Sequence, residues 1–221
     1  VTTPTGLLSY YKLDSDLVDS IGAHNGTATG TTTYATAKHT NGFSYNGSSY
    51  ITLADASTFA FERTSPFSFS MWVDHNTTGT QMRYLDKRGS SGAGYAWFKQ
   101  TDEKIVLYLE GSNGTVCRAK TTNGITGALS HIAVTYDGSS STSGVKFYIN
   151  GVQDATVSVT NTLNASIVKS QNIYLGWDGV SEYFSGIQDD VRIYNVELSS
   201  SSISTIYNAG RTAYLGASDI Q

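Results

Sequence analysis

Two adjacent carboxylates near the C-terminus, Asp189 and Asp190, are the residues whose type and spacing most suggest chemistry. They lie in the segment Gly186–Asn195, where apolar and polar residues alternate as in a β-strand. Paired acids can act as a catalytic acid and base, or they can bind a hard cation such as Ca²⁺, which takes about six to eight oxygen ligands.

Glycoside hydrolysis would need more than this pair. A retaining mechanism uses two carboxylates about 5 Å apart, and a strand presents such a pair at alternate positions because residues i and i+2 share a face. Asp102 and Glu103 are neighbours, so they point to opposite faces if the chain is extended there. No Glu residue of the chain lies in an alternating acidic strand. The five are Glu62, Glu103, Glu110, Glu182 and Glu197. Enzymatic activity is therefore not expected.

Sugar binding has a different signature, in which aromatic rings stack on the sugar and nearby polar groups bind its hydroxyls. Trp177, Asp178 and Tyr183 form one candidate group, in the loop before the last strand. Tyr95 and Trp97 form another because alternation places them on one face of a strand. The alternative for each group is packing in the core or within a loop.

The composition predicts one large all-β domain without nucleic-acid or membrane contacts. Charged residues make up only 14% of the 221 residues, and 15 Tyr accompany only 2 Pro. A net charge of −4 offers no basic surface for nucleic acid, and no apolar run is long enough to span a bilayer. Cys117 is the single cysteine, so an intrachain disulfide is excluded. His131 begins an apolar strand and is predicted to be a hydrogen-bonded structural residue.

Short apolar runs separated by Asn-Gly and Asp-Gly turns predict thirteen strands in a two-sheet antiparallel sandwich. The predicted strands are Gly6–Leu13, Phe43–Tyr45, Tyr50–Leu53, Pro66–His75, Met82–Asp86, Gly94–Lys99, Ile105–Glu110, Thr115–Lys120, His131–Tyr136, Val145–Asn150, Val152–Val159, Ile173–Trp177 and Tyr183–Tyr194. Helical spacing is present only at about Ser199–Asn208, where Gly210 is expected to end a short helix. We assign residues 1–212 to the domain and 213–221 to a C-terminal extension or linker.

Five sequence blocks, in order, resemble the laminin-G-like (LamG-like) jelly rolls of the concanavalin A-like lectin/glucanase superfamily. The blocks are Leu8–Leu13 with Asp19–Thr27, Gly42–Ile51, Phe67–Val73, His131–Gly138 with Val145–Gly151, and Phe184–Asn195 with Leu198 and Ile206–Gly210. They cover roughly residues 6 to 211. The resemblance implies an all-β, two-sheet antiparallel jelly-roll sandwich.

The resemblance also implies a structural calcium site. Asp189 stands where related proteins place an acid that binds Ca²⁺, and Asp19 with Asn25 is the expected partner from the N-terminal loop. In the alternative, the two acids form a solvated edge and Asp190 pairs with Arg192. A calcium ion here would be structural, because no nucleophile or acid/base pair accompanies it.

The expected function is that of a non-catalytic, lectin-like module of a larger extracellular, cell-surface or virion-surface protein. Its partner would be a glycan or cell-surface polysaccharide, alongside neighbouring domains or identical chains of a homo-oligomer. The second hypothesis is a structural or protein-binding domain of an adhesin or phage fibre that binds no sugar. The third is an unusual glycoside hydrolase, because glycosidases and polysaccharide lyases share this fold.

Overall fold

The computed structural model describes residues 4–38, 40–54, 56–89, 92–125 and 127–215. Within them, sixteen strands form two antiparallel sheets of eight strands each, which confirms the predicted sandwich. In chain order the strands are β1 (Leu7–Tyr11), β2 (Gly26–Thr29), β3 (Thr33–Thr36), β4 (Asn41–Asn46), β5 (Tyr50–Leu53), β6 (Phe67–His75), β7 (Met82–Asp86), β8 (Gly94–Lys99), β9 (Lys104–Glu110), β10 (Val116–Gly124), β11 (Ser130–Tyr136), β12 (Val145–Ile149), β13 (Val152–Asp154), β14 (Thr156–Asn161), β15 (Ile173–Leu175) and β16 (Ser185–Tyr194). Short 3₁₀ turns cover Ser57–Phe59 and Thr142–Gly144.

The strand order brings distant segments together. The first sheet runs β13-β12-β11-β6-β16-β4-β3, with β1 also paired to β16. The second sheet runs β14-β10-β9-β8-β7-β15-β5-β2. The core lies between the two sheets and is rich in aromatic rings, among them Phe67, Phe69, Tyr95 and Trp97. Full burial of each such side chain contributes about 1.5–3 kcal/mol.

The last strand lies beside the first. Tyr10 pairs with Arg192 and Tyr11 with Val191 in antiparallel register. Earlier in its course β16 pairs with β4 instead, through Ser185–Gln188. The two acids therefore occupy the point at which β16 changes its neighbour from β4 to β1. A register shift against β6 occurs there, and Asp190 has a left-handed φ of 54°.

The Asn150-Gly151 turn closes the β12–β13 hairpin, as predicted. Its two residues have positive φ values of 51° and 78°, and a tight hairpin turn requires a positive φ at both central positions. By contrast, the predicted single strand Val152–Val159 is divided. Its first part (β13) joins the first sheet and its second part (β14) joins the second sheet.

Helix α1 spans Ser200–Leu215, so it continues through Gly210 and the prediction that Gly210 ends it is wrong. Ser199 caps its start, because its hydroxyl oxygen accepts a hydrogen bond from the amide of Ser202 at 3.1 Å. Ile203 and Ile206 are buried against the outer face of the first sheet. The predicted extension begins inside this helix, and residues 216–221 lie outside the described residues. No helix in the described part of the chain is long and apolar enough to cross a membrane.

Candidate functional site

Four half-buried aromatic side chains, Tyr50, Tyr174, Trp177 and Tyr183, form a cluster at one end of the second sheet. We call this cluster the aromatic platform. The Trp177 ring stacks on Tyr50, with centroids 4.2 Å apart and planes inclined by 29°. Tyr183 lies nearly parallel to the indole at 5.8 Å and 15°, and Tyr174 meets it edge-on at 4.9 Å. The predicted pair Trp177 and Tyr183 is thus brought together, and it gains two partners that the sequence had not indicated.

The sheet order explains how the platform forms. β15 pairs with β5, so Tyr174 lies opposite Thr52 and the chain passes next to Tyr50. The turn into Trp177 needs glycine, because Gly176 has a φ of 82° and a Cβ there would overlap the ring of Tyr45. A β-bridge between Trp177 and Tyr183 then closes the loop.

Asp178 organises this loop from the inside. Its side chain is only 8% exposed, and its Oδ1 accepts hydrogen bonds from the amides of Val180, Ser181 and Glu182 at 2.8, 2.8 and 3.0 Å. Asp178 was predicted to bind sugar hydroxyls directly. The structure instead gives it the role of a loop anchor that positions the residues on either side.

A groove of about 400 Å³ lies beside Tyr183. Apolar surface makes up more of its walls than polar surface does, and several polar side chains reach into it, a mixture that suits a sugar with C–H faces and hydroxyl groups. The polar side chains that line it belong to Thr77, Thr80, Gln81, Ser181, Glu182 and Ser185.

Glu182 is held in place by two side chains. Its Oε2 lies 2.5 Å from Nη2 of Arg83, and its Oε1 accepts a hydrogen bond from Nε2 of Gln81 at 2.6 Å. Arg83 is 5% exposed and also lies 3.6 Å from Oδ2 of Asp86, with its guanidinium 4.2 Å above the ring of Phe98. Burial raises the pKa of Asp86 to about 6, although the Arg83 charge and backbone hydrogen bonds act in the opposite direction.

The second predicted sugar-binding pair, Tyr95 and Trp97, is wrong. Both rings are at most 1% exposed and lie in the core between the sheets. Trp97 packs edge-on against Tyr84 at 5.3 Å, and the Tyr95 hydroxyl donates to the carbonyl oxygen of Phe59 at 3.0 Å. Alternation does place them on one face of β8, but that face is the inner one.

The structure explains the two acids of the last strand separately. Asp190 lies 3.4 Å from the guanidinium of Arg192 and accepts a hydrogen bond from the hydroxyl of Tyr10, so the Asp190–Arg192 pair of the alternative is confirmed. The solvated edge of that alternative is wrong, because Asp190 is only 2% exposed. Asp189 is 1% exposed, and its Oδ2 accepts a hydrogen bond from the amide of Lys38 at 3.0 Å. Both carboxylates therefore bind segments that meet where β16 passes from pairing with β4 to pairing with β1.

Asp19 ties the N-terminal loop to β1. Its Oδ1 accepts from the amides of Tyr10 and Ile21 at 3.0 and 3.1 Å, and its Oδ2 accepts from the Ser9 hydroxyl at 2.8 Å. Asn25 lies close by, since its Oδ1 accepts from the Asp19 amide at 2.9 Å. Burial would raise the pKa of Asp19, but these hydrogen bonds to the charged form outweigh it and lower the pKa.

The three predicted calcium ligands fall in two places. Tyr11 pairs with Asp19 on one edge of β1 and with Val191 of β16 on the other edge, so β1 runs between the loop and the last strand. Asp19 and Asn25 lie together on the loop side of β1, while Asp189 belongs to β16 on its other side. The described residues contain no group of three or more His, Cys, Asp or Glu side chains that could hold a metal. Calcium binding stays a prediction.

Comparison with known proteins establishes the class. A laminin G family model, described as the concanavalin A-like lectin/glucanases superfamily, matches residues 45–204. The chain therefore belongs to this superfamily, as its sequence blocks indicated. No curated protein matches the sequence significantly.

Among solved structures, the chain is similar to domain 4 of AbnA, a GH43 extracellular arabinanase from Geobacillus stearothermophilus, in complex with arabinotriose. The identity is 25%, the TM-score is 0.72, and the match covers 91% of this chain and 98% of that domain. The binding domain of Paraclostridial Mosquitocidal Protein 1 matches with 16% identity and a TM-score of 0.72. The botulinum neurotoxin serotype D ligand binding domain, in complex with N-acetylneuraminic acid, matches with 17% identity and a TM-score of 0.68. This chain is covered to 92% in both cases but spans only about half of each toxin domain (52% and 51%), so these two likenesses show the fold alone.

Proposed function

We propose that this chain is a non-catalytic carbohydrate-binding module and that the aromatic platform stacks on its sugar ligand. The observation that supports this most directly is the half-buried stack of Tyr50, Trp177 and Tyr183 beside a groove of about 400 Å³ that has polar side chains in its walls. Apolar faces next to convergent polar groups are the usual composition of small-molecule sites. Tyr and Trp rings combine an apolar face with a polar edge, which matches the two kinds of surface on a sugar.

The likeness to the arabinanase domain adds support, because that domain matches over nearly its whole length and was solved with an oligosaccharide. The parent protein of this chain would act outside the cell or at a surface, as an extracellular arabinanase does. The module would hold its parent protein on a polysaccharide.

A hydrolytic role receives no support from the carboxylates around the platform. Asp178 is buried and holds three loop amides. Glu182 and Asp86 both face Arg83, and Asp86 is fully buried. A glycosidic bond could not be placed between them, whereas hydrolysis requires a carboxyl group on each side of that bond.

Titration calorimetry with arabinotriose, backed by an array of neutral and acidic glycans, tests the proposal. We expect measurable binding that Trp177→Ala weakens at least tenfold, with unchanged circular dichroism. Val180→Ala is the matched control, because Val180 is an exposed apolar residue of the same loop outside the aromatic stack. Absence of binding to every glycan, or binding that is equally strong in Trp177→Ala, would contradict the proposal.

A further inference from the structure

The charge of the groove restricts which sugars it can accept. Among its lining residues in the described part of the chain, Glu182 alone carries a charge, and its side chain is 31% exposed. The cation nearest to it, Arg83, is buried and already paired with two carboxylates. An anionic ligand would therefore meet a carboxylate without an accessible positive charge to offset the repulsion.

Glu182 is also well suited to bind hydroxyl groups. A carboxylate has about four lone-pair sites. Oε2 is buried against Arg83, so Oε1, which accepts one hydrogen bond from Gln81, is the atom left to accept from a sugar hydroxyl. Hydrogen bonds from hydroxyls to an ionised carboxylate are stronger than neutral ones. Because Arg83 and Gln81 hold the side chain in one place, little rotamer freedom is lost when a sugar binds.

The loop fixes Glu182 relative to the stacking surface. Its amide donates to Oδ1 of Asp178, and the next residue, Tyr183, is bridged to Trp177. A sugar ring lying against Tyr183 is thus next to the residue that would accept its hydroxyl groups.

We propose that this groove selects neutral, hydroxyl-rich sugars over anionic sugars and that Glu182 determines the selection. This inference rests on the proposed glycan-binding function and narrows its ligand class. If the Glu182 charge is removed, Asp86 is the one charged partner that Arg83 keeps among the contacts described. Arg83 could then attract an anion.

The test compares arabinotriose with N-acetylneuraminic acid by calorimetry, in the wild type and in Glu182→Gln. We expect the wild type to bind arabinotriose at least tenfold more tightly. Glu182→Gln, which preserves the shape of the side chain, should reduce this ratio at least fivefold. Glu110→Gln is the matched control, because Glu110 pairs with Arg88 on the same sheet, 2.9 Å away, but does not line the groove. It should leave the ratio unchanged.

Salt gives a second measurement that needs no variant. Higher ionic strength screens the repulsion of the anion, so the wild-type ratio should fall between low and high NaCl. Two results would overturn the selectivity while leaving sugar binding intact. One is that N-acetylneuraminic acid and arabinotriose bind with equal, Trp177-dependent affinity. The other is that Glu182→Gln leaves the affinity ratio unchanged. Loss of all Trp177-dependent sugar binding would instead overturn the proposed function itself.

Discussion

The rings of Tyr50 and Trp177 stack with centroids 4.2 Å apart, although Tyr50 begins β5 and Trp177 lies in the loop after β15, far away in sequence. Tyr50 leaves β5 on the face opposite the buried Ile51, and the loop after β15 lays the indole over it. The flat surface that we assign to sugar stacking therefore depends on both rings.

Tyr50→Ala should weaken glycan binding about tenfold, because Trp177 loses the ring that supports it. Aromatic pairs contribute about 0.5–1.5 kcal/mol beyond the area they bury, and the added freedom of the indole lowers affinity further. Tyr50→Phe keeps the ring and should bind almost as the wild type does. Calorimetry on the two variants measures the difference, and equal affinities would exclude a supporting role for Tyr50.

Asp178→Ala should destabilise the loop and reduce affinity together. Three amides lose their shared acceptor. A hydrogen bond typically contributes about 0.5–1.5 kcal/mol net, so we expect a loss of about 2–4 kcal/mol in the free energy of unfolding. Asp178→Asn keeps an oxygen at the Oδ1 position and should lose less than half of this. Denaturant unfolding and calorimetry on both variants provide the measurement. Similar losses in the two variants would contradict the anchoring role.

His131 should make the protein less stable in acid. The residue is fully buried, and neither ring nitrogen has a hydrogen-bond partner among the residues that the structure describes, contrary to the prediction of a hydrogen-bonded residue. Burial, helped by the Arg192 charge and opposed by Asp190, lowers the pKa of His131 to about 3. The unfolded chain takes up a proton below about pH 6.5 and the folded chain does not, so stability falls as the pH drops from 6.5 towards 3. Burial also lowers the pKa of His75, to about 4, whereas the raised pKa of Asp86 has the opposite effect.

His131→Phe removes this proton uptake. Its stability advantage over the wild type should grow by about 2 kcal/mol between pH 7 and pH 5, at about 1.36 kcal/mol per pH unit below 6.5. Ser70→Ala is the control, since Ser70 is also buried and its hydroxyl has no partner in the described part of the chain, but it does not titrate in this range. Its effect should be the same at both pH values. A His131→Phe advantage that does not change with pH would show that the imidazole is already protonated or solvated in the fold.

The sequence predicted strands well where large apolar residues alternate with polar ones. The bounds of β5, β7 and β8 match the prediction residue for residue. The missed strands β2 (Gly26–Thr29) and β3 (Thr33–Thr36) consist mostly of Thr, Ala and Gly at the sheet edges, so they carry no apolar alternation.

The candidate site was only partly predictable. Alternation correctly placed Tyr95 and Trp97 on one face of a strand, but the choice between the inner and outer face depends on which face the other sheet covers. Tyr50 joins Trp177 only because β15 enters the sheet between β5 and β7, a pairing that no local pattern specifies. The outward position of Tyr50 beside the apolar Ile51 was the one signal available.

Asp19→Ala should lower the free energy of unfolding by about 2–4 kcal/mol in the presence of either calcium or a chelator, because the Ser9 hydroxyl and two amides lose their acceptor in both cases. Asp16→Ala is the control, since Asp16 is exposed and accepts one turn hydrogen bond from the Val18 amide. It should change stability by less than 1 kcal/mol.

The same melting curves test the calcium prediction. An ion bound only by the folded chain raises Tm by mass action, and Asp189→Asn should remove that rise if Asp189 is a ligand. Equal melting of the wild type in calcium and in chelator would leave Asp19 and Asp189 as hydrogen-bond acceptors that hold the first and last strands to their neighbours.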